Sequence, residues 1–152
     1  MRLDDSDRRL LRQLIAAPDA STADLAERAG LTEPTCWRRL ERLRAAGVLR
    51  GQRAVINWRA LGWQVEVSLR LTLDKTDPRA FDDFIARARL VPEVLEIQTF
   101  LGRVDVRLNL IARDMAHYQQ VYRDRILTLP HIADLEALMH LSDIKAEESL
   151  PL

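Results

Sequence analysis

The sequence holds a single cysteine in 152 residues. An internal disulfide and a multi-cysteine metal site are therefore excluded, and Cys36 reads as a small core residue. No apolar run reaches the length needed to cross a bilayer. The first residues, MRLDDSDRRLLRQL, are charged throughout, where a signal peptide would carry an apolar segment. These absences predict a cytoplasmic protein with no membrane partner. Catalytic signatures are missing too, since there is no phosphate-cradling glycine loop, HExxH, GxSxG or CxxC. The three histidines, His117, His131 and His140, are scattered along the C-terminal part. No catalytic group, metal or cofactor is predicted.

What is present begins with charge. The formal net charge is zero, but residues 1–62 carry 12 Lys/Arg against 8 Asp/Glu, and residues 63–152 carry 11 against 15. A basic N-terminal part and an acidic C-terminal part are the asymmetry expected when only one domain meets a polyanion.

The basic part contains STADLAERAGLTEPTCWRRLERLRAAG, residues 21–47. Ser21 and Asp24 have the spacing of a capping box, Leu25, Ala26 and Ala29 give one apolar face, and Gly30 supplies a left-handed helix end. Thr32 is then placed to cap a second helix, with Pro34 in its first turn and Leu31 and Cys36 forming a hydrophobic staple. Cys36, Leu40 and Leu43 face inward. By subtraction, Thr35, Trp37, Arg38, Arg39 and Arg42 lie on or near the outer face, where their donors would reach phosphates and base edges of a major groove. The alternative is a solvated charged face. An exposed Trp37, a tight turn at Gly30 and a short second helix favour a DNA-reading helix-turn-helix. Leu10, Leu11, Leu14 and Ile15 supply a preceding helix, favoured at its start by Asp4, Asp5 and Asp7 through the helix dipole.

After Gly47 the pattern turns towards period two. Val48, Leu49, Ala54, Val55 and Ile56 predict a short strand or wing, and Trp58, Leu61, Gly62 and Trp63 a hinge packed by aromatics. The chain is thus read as a helix-turn-helix domain over 1–51, a linker over 52–62 and a second domain over 63–152.

In the second domain QVEVSLRLTL alternates apolar and polar residues as a strand buried on one face. Asp77 and Pro78 start a helix with Phe81, Phe84, Ile85 and Ala88 inward. Strands follow from Val94 to Leu101 and from Val104 to Ala112, joined at Gly102 as a tight hairpin. Asp114 caps a helix carrying Met115, Tyr118, Val121, Tyr122 and Ile126, and a last strand runs from Ile132 to about Leu141. The order βαββαβ is ferredoxin-like, and the whole chain is α+β. Two helices cover one sheet face. The other would bear Glu66, Ser68, Arg70, Thr72, Glu96, Gln98, Phe100, Arg107, Asn109 and Ile111, a face suited to pairing with its own copy rather than to plain solvation, because a lone three-helix reader makes few DNA contacts.

Over nearly its whole length the chain resembles the Lrp/AsnC (feast/famine) family of transcription regulators. The resemblance lies in LDDSDRRLLRQL, LAERAGLTEPTCWRRLERLRAAGVL, Gly62, the GRVD hairpin and the closing DIKAEESLPL. It implies an N-terminal winged-type helix-turn-helix and a ferredoxin-like effector domain that dimerises through its sheet and assembles further into tetramers or octamers. It also implies an amino acid or related metabolite bound between dimers, and a pseudo-palindromic site on double-stranded DNA. Position by position, Thr35, Trp37, Arg38, Arg39 and Arg42 fall where the family's recognition helix meets DNA, and Thr22 where a backbone phosphate is held; Thr32 belongs to the same set.

The implied effector residues are Gly102, Arg103, Val104, Asp105, Leu135 and Ala137. This chain departs from the family's Gly-Asp-X-Asp, with Arg103 at the second position, and Leu101, Leu135 and Ala137 stand where threonine is common. A zwitterion needs an anion near its amine and donors near its carboxylate, so Asp105 and the backbone around Gly102 are candidate contacts, and Arg103 favours an acidic ligand. Alternatively, Gly102 only makes a turn and Asp105 pairs with Arg103 or Arg107. Two other readings share this architecture: a siroheme-decarboxylase-like enzyme, and an effector-binding protein that has lost DNA.

Overall fold

Three capped helices open the chain in a computed structural model that describes residues 2–145; Met1 and residues 146–152 of the closing DIKAEESLPL segment lie outside that description. Two units are formed, one of residues 2–55 with 143–145 and one of residues 56–142.

In the first unit α1 (Asp5–Ala16) starts on a reciprocal box, with Asp4 accepting from the Asp7 amide and Asp7 from the Asp4 amide. Ser21 and Asp24 make the same arrangement at α2 (Thr22–Ala29). Gly30 then takes φ 67°, which lets its own amide and that of Leu31 reach back to the Ala26 carbonyl. Helix α3 (Glu33–Ala45) follows with Pro34 in its first turn. The predicted Thr32 side-chain cap does not form; the Thr32 hydroxyl donates instead to Thr35 Oγ1 at 2.9 Å. Leu10, Leu25, Ala26, Ala29, Cys36, Leu40 and Leu43 close one core, with Leu31 and Leu49 packed on its margin. Burial, assisted by the Glu33 charge, raises the Cys36 thiol pKa and keeps the group protonated.

The predicted strand or wing beyond Gly47 is absent among the described residues, and Val55 is 91% exposed. A strand needs a neighbour to complete its ladder, and this unit is otherwise helical. The aromatic hinge is also only partly realised: Trp58–Leu61 form a 3-10 turn with Trp58 and Leu61 exposed, and Trp63 alone packs, 5.9 Å from the His117 ring.

The second unit is a four-stranded antiparallel sheet, order β2-β3-β1-β4, built from β1 (Val65–Leu73), β2 (Val94–Thr99), β3 (Val106–Ala112) and β4 (Ile132–Met139). Helices α4 (Ala80–Ala88) and α5 (Met115–Val121) complete the βαββαβ order. Val67, Leu69, Leu71 and Leu73 of β1 meet Val106, Leu108 and Leu110 of β3 with Phe84, Ala88, Tyr118, Val121 and Ile126 in one core. Helix α4 begins later than predicted, because Asp77 accepts from the Arg79 amide in a turn that occupies its expected first residues. The buried stripe becomes Ala80, Phe84 and Ala88, which leaves Phe81 44% exposed. Met115 is likewise exposed rather than inward, and α5 runs into a π-helical turn over Tyr122–Ile126.

On the other sheet face Glu96 accepts from Gln98 and Asn109, each at 2.7 Å, and Arg107 lies 5.8 Å over the Phe100 ring. Ile111, expected on this open face, is buried, since β2 shifts register between Val94 and Glu96 and the Ile111 amide donates to the Glu93 carbonyl.

Among the described residues Phe84 is the largest fully buried side chain. Phe84→Ala should cost about 3–5 kcal/mol and lower the urea midpoint of the sheet unit, read by far-UV circular dichroism.

Candidate functional site

The candidate reading surface is the outer side of α3. Trp37 is 58% exposed and Arg38 is exposed beside it, with Thr35 half-buried one turn earlier. Thr22 is half-buried at the first residue of α2, and Thr32 is exposed at the entry to α3. The placement of Arg39 among the outer groups is corrected. Its side chain is 22% exposed, and Nη1 donates to Asp4 at 2.7 Å and to Asp7 at 2.7 Å. Arg42 remains half-exposed but also donates to Asp7.

Asp7 is fully buried, and its oxygens accept from Arg39, Arg42 and the Asp4 amide. The same two carboxylates thus cap α1 and clamp α3. Hydrogen bonding from Arg39, then from the Asp7 amide, holds the Asp4 pKa down to about 2, and the Asp4 and Asp7 bonds raise that of Arg39. Arg39 Nε is left buried without a partner among the described residues. No sequence spacing signals this clamp, because Asp7 and Arg39 are separated by 32 positions.

The candidate effector residues divide around β1. The expected tight hairpin is a longer connection between Thr99 and Val106, closed by the Phe100 amide donating to the Asp105 carbonyl. Thr72 Oγ1 donates to the Arg103 carbonyl at 3.0 Å, and the Asp105 amide donates to the Leu71 carbonyl at 2.9 Å. The Asp105 carboxylate is nearly buried, accepting from the Leu73 amide at 2.9 Å and lying 2.7 Å from Lys75 Nζ. The Lys75 bond chiefly lowers its pKa, with the Leu73 amide helping against desolvation. Its partner is Lys75, then, and neither Arg103 nor Arg107. Gly102 and Arg103 are exposed and Val104 is half-buried. Leu135 and Ala137 lie across β1 from this loop, opposite Leu71 and Leu69 in the ladder, and bring no hydroxyl to it.

Two clusters escaped the sequence reading. Glu93, a mostly buried carboxylate at the foot of β2, meets Arg125 at 2.8 Å and His117 at 3.7 Å. Asp77, Asp83 and His131 place two carboxylates and an imidazole within 4.8 Å of one another. The three imidazoles each stand beside a different carboxylate, His117 by Glu93, His131 by Asp83 and His140 by Glu66. None of these pairings joins residues close enough in sequence to form a motif. Among the described residues, no helix is long and apolar enough to cross a membrane.

Comparison with known proteins gives two domain matches, residues 3–50 to a winged helix-turn-helix DNA-binding domain and residues 66–150 to the Lrp/AsnC ligand binding domain. The leucine-responsive regulatory protein of Haemophilus influenzae is 29% identical over 150 residues, covering 99% of this chain and 90% of that protein. The glutamate uptake regulatory protein of Zymomonas mobilis is 26% identical over 151 residues, covering 99% and 92%. Among solved structures, a Neisseria meningitidis transcriptional regulator in complex with L-methionine superposes with a TM-score of 0.88 at 28% identity, covering 99% of this chain and 97% of that one.

The clamp has a pH signature. Because the folded-state pKa of Asp4 lies below its ordinary value of 3.8, its stabilisation is present above that value and is lost as pH falls towards about 2. In urea titrations followed by helical circular dichroism, Asp4→Asn should fall less steeply than the parent protein across that window. Parallel curves would place the acid sensitivity elsewhere.

Proposed function

The chain belongs to the Lrp/AsnC family of DNA-binding transcriptional regulators, and we propose that it reads its target with Trp37, Arg38 and Thr35 while Arg39 and Arg42 hold the reading helix in place. The observation that carries this division is the exposure of Trp37 and Arg38 beside an Arg39 engaged by Asp4 and Asp7. Arg38 meets a base edge or phosphate as a charged donor, and Trp37 contacts a thymine methyl or sugar. Thr22 and Thr32, at the helix starts, take the phosphate backbone. Arg42 keeps half its surface and contributes a phosphate contact as well as the bond to Asp7.

Two such heads act together. The open sheet face, with Arg70 3.6 Å from Glu136 and Glu96 bonded to Asn109, is the dimerisation surface, and a pair of α3 helices enters successive major grooves about 34–36 Å apart on a pseudo-palindromic site. Dimers assemble further into tetramers or octamers. The effector is a free amino acid, in keeping with relatives named for leucine and glutamate and a neighbour bound to L-methionine. It acts by favouring one assembly, and so one spacing of the heads, over another. The protein works in the cytoplasm.

The test is fluorescence anisotropy of the full chain on DNA from its own upstream region, against an unrelated duplex, at two salt concentrations. Tighter binding to its own region that weakens with salt supports the reading. Equal weak binding to both opposes it. Arg38→Ala should weaken specific binding by about 1–3 kcal/mol with the fold intact. Arg39→Ala should instead lower thermal stability, because it leaves the buried Asp7 with one guanidinium fewer.

A further inference from the structure

We propose that Asp77, Asp83 and His131 form a binding site for a first-row divalent metal ion of the zinc class, carried wholly by the sheet unit. One ligand atom from each residue lies within 4.8 Å of the other two. Asp83 Oδ2 and His131 Nε2 are 3.6 Å apart. That is long for a hydrogen bond, and close to the spacing of about 3.3–3.4 Å between two ligands that share a tetrahedral ion through bonds of about 2.0–2.1 Å.

The three residues come from places that the sheet brings together. His131 immediately precedes β4, and its carbonyl accepts from the Asp74 amide at 2.7 Å just beyond β1, next to the ladder pair Leu73 and Ile132. Asp77 belongs to the turn that follows, where its Oδ1 accepts from the Arg79 amide at 2.8 Å. That bond orients the carboxylate and leaves its second oxygen for a ligand. Asp83 stands on α4 with its side chain 51% exposed. His131 takes φ 63°, the one non-glycine residue with positive φ among the described residues. A residue with a Cβ adopts that conformation at a cost, and here it accompanies an imidazole brought beside α4.

The donor chemistry selects the ion. An imidazole nitrogen suits zinc and its first-row neighbours, whereas magnesium is held by oxygen ligands. Two carboxylates balance the two charges of the ion, and three protein ligands leave a position for water. The other imidazole–carboxylate pairs, His117 with Glu93 and His140 with Glu66, gather no third ligand of this kind among the described residues. A bound ion joins α4 to the start of β4 and so stabilises the sheet unit against unfolding.

The experiment is calorimetric titration of the full chain, first stripped with a chelator, with zinc chloride and separately with magnesium chloride, alongside thermal-shift measurements. The variants are His131→Asn, because asparagine accepts the left-handed backbone, Asp83→Asn, whose exposed side chain leaves the core untouched, and His140→Gln as the control. The parent protein should bind one zinc ion per chain with a raised melting midpoint. His131→Asn and Asp83→Asn should each weaken zinc by about tenfold or more while keeping the metal-free midpoint, and His140→Gln should stay within about twofold of the parent. Zinc without effect on the parent protein would overturn the site. Parent-like binding by His131→Asn and Asp83→Asn would do the same and reduce the cluster to an ordinary ion pair, and an equal response to magnesium would overturn the class of ion.

Discussion

A carboxylate with no exposed surface, that of Asp7, determines how the reading helix is held. Burying a charge is costly unless it is paired and hydrogen-bonded, and Asp7 accepts from Arg39, Arg42 and the Asp4 amide. An apolar contact between α1 and α3 would tolerate sliding, whereas this set of directed bonds accepts one rotation of α3 about its axis. That rotation turns Trp37 and Arg38 outward and Cys36, Leu40 and Leu43 into the core. The clamp's value lies in orientation more than in net stability, since buried ion pairs gain little beyond an apolar replacement yet cost heavily when broken.

The sheet unit repeats the device in a different setting. There an apolar core of Val67, Leu69, Leu71, Val106, Leu108 and Leu110 supplies the stability, and a nearly buried aspartate pins the connection between β2 and β3 to it. Asp105 accepts from the Leu73 amide, and the loop's backbone meets Leu71 and Thr72, so the connection between β2 and β3 is fixed to the end of β1.

How far the sequence could be read depended on the range of the interactions involved. The boxes at Ser21 and Asp24, the left-handed Gly30 and the alternation through β1 are local, and their residue types announce them. The missing wing shows the limit of the same reasoning: the alternation after Gly47 is there in the residues, but a strand also needs a partner edge. Phe81 and Ile111 failed for a related reason. A helix start displaced by the Asp77 turn rotates a stripe, and a register shift in β2 changes what covers the end of β3. The Glu93, His117 and Arg125 group was invisible because its members come from separate elements.

By itself the sequence determined all the elements but the wing after Gly47, and their order, the α+β class, the inner faces of most helices and the position of the reading helix, because these follow from periodicity, caps and turns within a few residues. The tertiary structure alone decided which arginines are outward. Arg38 and Arg39 are adjacent and chemically identical in the chain, and what separates them is Asp7, 32 residues before Arg39 and brought beside it only when α1 packs against α3. It likewise decided that Asp105 is occupied and that Glu93 meets Arg125 and His117, since pairings across such distances depend on the packing of whole elements, to which local spacing is blind.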